Sequence, residues 1–170
     1  MHRGRTDAGV HAIGQIANFK TNSNIEIEKF PIAINSKLPN SIVVKDAEEV
    51  DERFHSRYNC KGKKYKYIIN NNKYPSALNR YREFHISQKL DVEKMKTALN
   101  YFVGTHDFNG FKSSGGSPKK TTIRTIYSAK LTEIEKNRFE IELYGDGFLY
   151  NMVRIISGTI VDVGLGKIEA

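Results

Sequence analysis

The chain has 170 residues, 39% hydrophobic and 27% charged, a make-up that fits one folded domain with one main core and excludes a disordered chain. No apolar run approaches the roughly 20 residues that span a bilayer, the N-terminus lacks the basic-then-apolar pattern of a signal peptide, and one cysteine, Cys60, excludes both an internal disulfide and a multi-thiolate zinc site. A net charge of +8 favours a polyanionic partner, nucleic acid foremost, although basic residues can also serve only to solubilise a surface.

In chain order, Gly4 and Gly9 come first, two residues able to adopt the backbone angles of a sharp exposed turn around Asp7. A short helix is expected over Phe30 to Lys37, with Phe30, Ala33, Ile34 and Leu38 facing inward and Pro31 tolerated in its first turn. The β-branched run Ser41 to Lys45 reads as a strand, and Lys63 to Asn70 as another that carries Tyr65, Tyr67 and Ile69 on one face. Cys60, between them, reads as a small apolar filler. Met95, Ala98, Leu99 and Phe102 stand at helical spacing, with Asp91 as N-cap and Gly104 just past the end.

The Gly-, Ser- and Lys-rich stretch from Phe111 to Lys120 reads as a mobile inserted loop. Apolar and polar residues then alternate from Ile123 to Thr132 and from Arg138 to Tyr144, with Phe139, Ile141 and Leu143 on one face; the five residues between the runs suggest an antiparallel hairpin. A last helical stripe runs through Met152, Ile156, Thr159, Ile160 and Val163, with Gly164 as C-terminal cap and Arg154 off the stripe. This order of elements predicts an α+β domain, its helices packed on a mainly antiparallel sheet.

On composition alone, Asp7 can be a turn residue that bonds its own backbone, or a reactive carboxylate. His11 has no second histidine near it at ligand spacing and reads as support for the loop, which gives no reason to expect a metal. Lys61, Lys63, Lys64 and Lys66, with Lys119, Lys120 and Arg124, gather around the Tyr65 strand and the Gly-rich loop, where cations can grip phosphates around an aromatic pocket.

GRTDAGVHA (Gly4 to Ala12), FHSRYNCKGKKYKY (Phe54 to Tyr67), HDFNGF (His106 to Phe111), RTI (Arg124 to Ile126) and GFLYNMVRIISG (Gly147 to Gly158) resemble, in order and spacing, the signatures of the tRNA pseudouridine synthase A family. The resemblance runs from Gly4 to about Gly166. It implies an isomerase that breaks the bond from ribose C1′ to uracil N1, turns the base and rejoins it through C5, with no cofactor. Asp7 would be the nucleophile, acting on C6 of the base or on the ribose. A carboxylate inside a pocket closed over a base loses water and takes up a proton unless a cation opposes it, and by resemblance Arg154 is that cation. Tyr65 aligns with the family's active-site tyrosine, which can stack on the extruded uracil and move a proton; Tyr67, two residues on, shares its face and reads as core. By the same resemblance Arg5 would hold the displaced nucleotide or fill the space it leaves.

The resemblance further implies the pseudouridine synthase fold, two related α+β halves with a mixed, mainly antiparallel sheet flanked by helices. Residues 1–50 would be a remnant of the first half, bearing the Asp loop, and 51–170 most of the second. Family members carry a strand, helix and strand ahead of GRTD and a segment after Gly166 that have no counterpart here, so sheet edges near Asp7 are expected to be open and its loop poorly held. The implied partners are the anticodon arm of tRNA, at uridines on its 3′ side, and a second copy in a homodimer, in the cytoplasm and away from membranes. Two rivals stand beside this reading. A non-catalytic RNA-binding fragment would need only the cations and the tyrosine strand, and a carboxylate-dependent hydrolase would need a second acid or a metal cluster, which the sequence does not offer.

Overall fold

In the computed structural model, which describes residues 2–3, 6–115 and 121–170, the chain divides into two units, Met1–Cys60 and Lys61–Ala170. In the first unit, β1 (His2–Arg3) pairs antiparallel with β2 (Ala17–Asn18). Helix α1 covers Phe30–Asn35 with Pro31 in its first turn, and Phe30, Ile34 and Leu38 are partly covered, whereas Ala33 is exposed. None of this unit's described residues is buried.

The strand expected over Ser41 to Lys45 does not form. A strand needs a neighbour to accept its backbone bonds; here the Asn35 side chain takes that place, its amide donating to the Val44 carbonyl and its carbonyl accepting from the Val44 N–H, both at 2.8 Å. Ile42 and Val43 are left in solvent. Asn18 ties the unit in the same way, donating to the Phe54 carbonyl at 3.2 Å and accepting from the Ser56 N–H at 3.0 Å. Cys60 is exposed and fills no core.

The second unit is built on β3 (Lys63–Asn70), β4 (Phe84–His85), α2 (Val92–Asn100), β5 (Gly104–Asp107), β6 (Ile123–Glu135), β7 (Arg138–Gly145) and α3 (Met152–Gly164). Its sheet runs β4-β3-β7-β6-β5; only the β3/β4 pair is parallel, so the chain has the α+β architecture with a mixed, mainly antiparallel sheet. Register decides what each face carries. Tyr65 stands opposite Leu143, Tyr67 opposite Ile141 and Ile69 opposite Phe139, and this face joins Met95, Ala98 and Leu99 of α2 and Met152, Ile156, Ile160 and Val163 of α3 in one buried cluster.

The other face is charged: Lys66 reaches Glu140 at 2.8 Å and Lys64 reaches Glu142 at 3.0 Å. The hydrogen bond from Lys64, helped by the charges of Lys66 and Lys130, holds the Glu142 carboxyl below its ordinary value against the effect of partial burial. As pairs in partial contact with water, these contribute order more than energy.

Asp91 caps α2 as its spacing predicts, accepting from the Lys94 N–H at 3.1 Å. Three glycine and turn expectations are corrected. Gly104 ends no helix but opens β5 at φ 116°. Gly164 lies inside α3, where an added Cβ would sit 2.6 Å from Met95 Sδ, so its smallness serves helix packing. The cap is Gly166 at φ 71°: its N–H bonds the Val163 carbonyl and the Lys167 N–H that of Asp162, the paired arrangement that closes a helix through a left-handed glycine. The β6/β7 connection is only Lys136 and Asn137, the latter at φ 57°, because β6 continues to Glu135 through register shifts. No helix among the described residues is long and apolar enough to cross a membrane.

Gly145 closes β7 with no room for a side chain, since a Cβ there would stand 2.7 Å from the Thr125 carbonyl oxygen. Alanine normally suits a strand better than glycine. Here Gly145→Ala is expected to destabilise the protein by about 1–3 kcal/mol, because a backbone atom cannot move aside as a side chain can. A urea midpoint equal to or above that of the parent would show that the strand has room to shift.

Candidate active site

Asp7 lies in the first unit. The Val10 N–H bonds the Asp7 carbonyl at 3.2 Å, closing a four-residue turn whose third position, Gly9, has φ 76°. A left-handed residue at that place is the reason for glycine, and no atom outside the turn comes within 4 Å of where its Cβ would be. Asp7 is exposed on this turn, and so is His11. Arg5 lies outside the described residues, as do Lys119 and Lys120; of the stretch Phe111 to Lys120 predicted to be mobile, Phe111 closes the 3-10 turn Asn109–Phe111 and packs against the core.

Tyr65 and Arg154 lie in the second unit. Alternation along β3 aims Tyr65 to the face covered by α3, where its ring meets Phe148 edge-on, 5.1 Å between centroids and 81° between planes. Tyr67 lies on the same face, deeper, against the core. Burial pushes its hydroxyl above the ordinary tyrosine value, and the Arg154 guanidinium is near enough to oppose that rise. Arg154 sits in the first turn of α3, off the buried stripe and exposed as its spacing predicts. A cation there meets the positive end of the helix dipole, which costs about 0.3–1 kcal/mol, and no acidic residue occupies that turn.

The remaining cations separate. Lys63 is half-buried at the start of β3, with the parity of Tyr65, whereas Lys64 points to the opposite face and engages Glu142. Arg124 donates to the Thr121 carbonyl at 3.1 Å and to that of Ile123, and its side chain passes close to Gly147. It therefore lies beside the segment that carries Phe148.

Three positioning residues escaped the sequence reading. Phe148 supports the Tyr65 ring, but it belongs to no periodic stripe that would flag it. Asn151 begins α3 at φ 58° and its amide donates to Ser113 Oγ at 3.1 Å, while the Ser113 N–H bonds the Tyr150 carbonyl at 3.1 Å. Only the tolerance of asparagine for left-handed backbone could have signalled this joint. Among the described residues no group of three or more His, Cys, Asp or Glu side chains gathers as a metal site would require.

A sequence model of the family described as tRNA pseudouridine synthase matches residues 2–59 and 98–170. Asp7 and Arg154 fall inside those segments and Tyr65 between them. A protein named tRNA pseudouridine synthase A from Acetivibrio thermocellus is 56% identical over 166 residues, which cover 98% of this chain and 67% of that protein. Proteins of the same name from a Thermoanaerobacter species and from Ruminiclostridium cellulolyticum are 56% and 51% identical, each over 97% of this chain and 67% of its own length. The chain thus spans about two thirds of the relatives it matches.

The raised Tyr67 hydroxyl gives a signed prediction. Its unfolded counterpart loses a proton near pH 10 while the folded group still holds one, so stability falls as pH rises beyond about 10 and levels off above the folded value. Tyr67→Phe is expected to reduce that alkaline loss in chemical-denaturation curves recorded from pH 8 to 11. An unchanged slope would mean that Tyr67 is solvated.

Proposed function

The chain belongs to the tRNA pseudouridine synthase family, and on that premise we propose that Asp7 is the nucleophile of a uridine-to-pseudouridine isomerase acting on the anticodon arm of tRNA, at uridines on its 3′ side. The reaction breaks N1–C1′, forms C5–C1′, returns a proton to N1 and releases one from C5. The Asp7 carboxylate divides the change into two easier steps, by adding to C6 of the uracil or by acting on the ribose. No redox step occurs, and the residues supply the chemistry themselves.

Arg154 supplies the positive charge that keeps this carboxylate ionised when the base closes over it. What supports this role is its place in the first turn of α3, near enough to Tyr67 on the buried sheet face to act on that hydroxyl. Tyr65 stacks on the extruded uracil, held upright by Phe148, and its hydroxyl moves the proton at C5 or N1. Lys63 and Arg124, with Lys119 and Lys120, contact the RNA backbone, Lys64 joins them once released from Glu142, and Arg5 holds the displaced nucleotide or fills the space it leaves. The net charge of +8 supports a polyanionic substrate. The enzyme works as a homodimer in the cytoplasm.

Two substitutions test the roles separately. Asp7→Ala in the full chain is expected to cut tritium release from tRNA labelled at uridine C5 by at least about 10⁴-fold with tRNA affinity retained, as removal of a nucleophile does. Product at the parental rate would remove Asp7 from the chemistry. Tyr65→Phe keeps the stacking ring and loses the proton path, so kcat should fall about 10²–10⁴-fold with KM little changed; a rise in KM alone would restrict Tyr65 to binding.

A further inference from the structure

Between β3 and β4 the chain makes an excursion, residues 71–82, that no role above uses. Its base is built with unusual care. Buried Asn70 donates to Glu83 at 2.7 Å and accepts from the N–H and the side-chain amide of Asn72, while Glu83, its side chain 2% exposed, also receives Arg138 at 2.9 Å. Asn71 donates to the carbonyls of Ile86 and Gln88, both at 2.7 Å. The tip is held by turns in which the Arg82 and Glu83 N–H groups bond the Asn79 carbonyl.

On this frame stand side chains that gain nothing from water. Tyr74, Leu78 and Tyr81 are 71%, 93% and 78% exposed. Each tyrosine carries a cation over its ring, Lys73 at 5.2 Å from the Tyr74 centroid and Arg80 at 4.4 Å from that of Tyr81. Arg82 is exposed beside them, and the sequence from 71 to 82 contains three basic residues and no acidic one. Flat rings interleaved with cations are what an RNA strand requires: phosphates meet the charges, and bases or riboses meet the ring faces left open. A second copy of the chain suits the loop less, because contact across a two-fold axis would set three positive charges against three.

We propose that residues 71–82 form an auxiliary RNA-contact loop which grips the tRNA backbone through Lys73, Arg80 and Arg82 and packs Tyr74 and Tyr81 against exposed nucleotides. The assignment rests on the reading of tRNA as substrate. From Tyr65 to Asn70 the strand runs about 17 Å, so the loop lies beyond the reacting base and acts on binding, not on the chemical step.

The test is tRNA binding by the full chain across salt concentrations, with single-turnover rates at saturating tRNA measured in parallel. The triple substitution Lys73→Ala, Arg80→Ala, Arg82→Ala should weaken binding at least about tenfold and flatten the dependence of log K on log salt by roughly two units, near 0.7–0.9 per lost phosphate contact, with the saturated rate unchanged. The matching all-lysine variant, Arg80→Lys with Arg82→Lys, should recover most of the slope. An unchanged slope overturns the proposal; so does a variant that keeps the slope but dissociates a dimer in sedimentation, which would give the loop to a second copy. If the parent binds tRNA and makes no pseudouridine, the functional reading fails while the loop's slope can still be read.

Discussion

The pairing of β3 with β7 governs the second unit, because a period of two leaves each side chain only one face to choose. With Tyr65 opposite Leu143 and Tyr67 opposite Ile141, the tyrosines must share the side that α2 and α3 bury, and Lys64 and Lys66 must share the side that meets Glu140 and Glu142. A slip of one residue would carry lysines into the core and tyrosines into solvent. The first turn of α3 brings Arg154 near enough to Tyr67 on that buried face to act on its hydroxyl. The sheet is therefore both the core and the device that aims the site.

This is also why so much of the second unit could be read from sequence. The alternation over 63–70 and 138–144 and the stripes through Met95 and Met152 each record one buried side, and burial is a strong enough constraint to leave its period in the residues. Where the outcome depends on a neighbour from elsewhere, the signal is lost. The run Ser41 to Lys45 has every residue a strand wants, yet the Asn35 side chain takes its backbone bonds. Gly104 and Gly164 look like helix ends because glycine often is one; in fact one opens a strand in the left-handed half of the map and the other makes way for Met95.

The candidate site divides along the same line. Tyr65 and Arg154 are placed by periodic elements, so their face follows from pattern once the elements are known. Asp7 rests on a turn whose only readable feature is its glycine, and Gly9 at φ 76° is where that reading holds. Phe148 and Asn151 belong to irregular backbone between β7 and α3, and Ser113 to that between β5 and β6, where neither period applies. The catalytic roles proposed for Asp7, Tyr65 and Arg154 come from the resemblance of motifs, not from period or spacing.

The central proposal is that the Asp7 carboxylate is kept ionised by Arg154 when the base is bound. A crystal structure of the full chain with tRNA tests it most directly. The account predicts an Asp7 carboxylate oxygen within about 3 Å of an Arg154 nitrogen, the distance of a charge-assisted hydrogen bond, with a uracil lying on the Tyr65 ring. An Asp7 side chain turned toward solvent while Arg154 holds a phosphate of the RNA would contradict it.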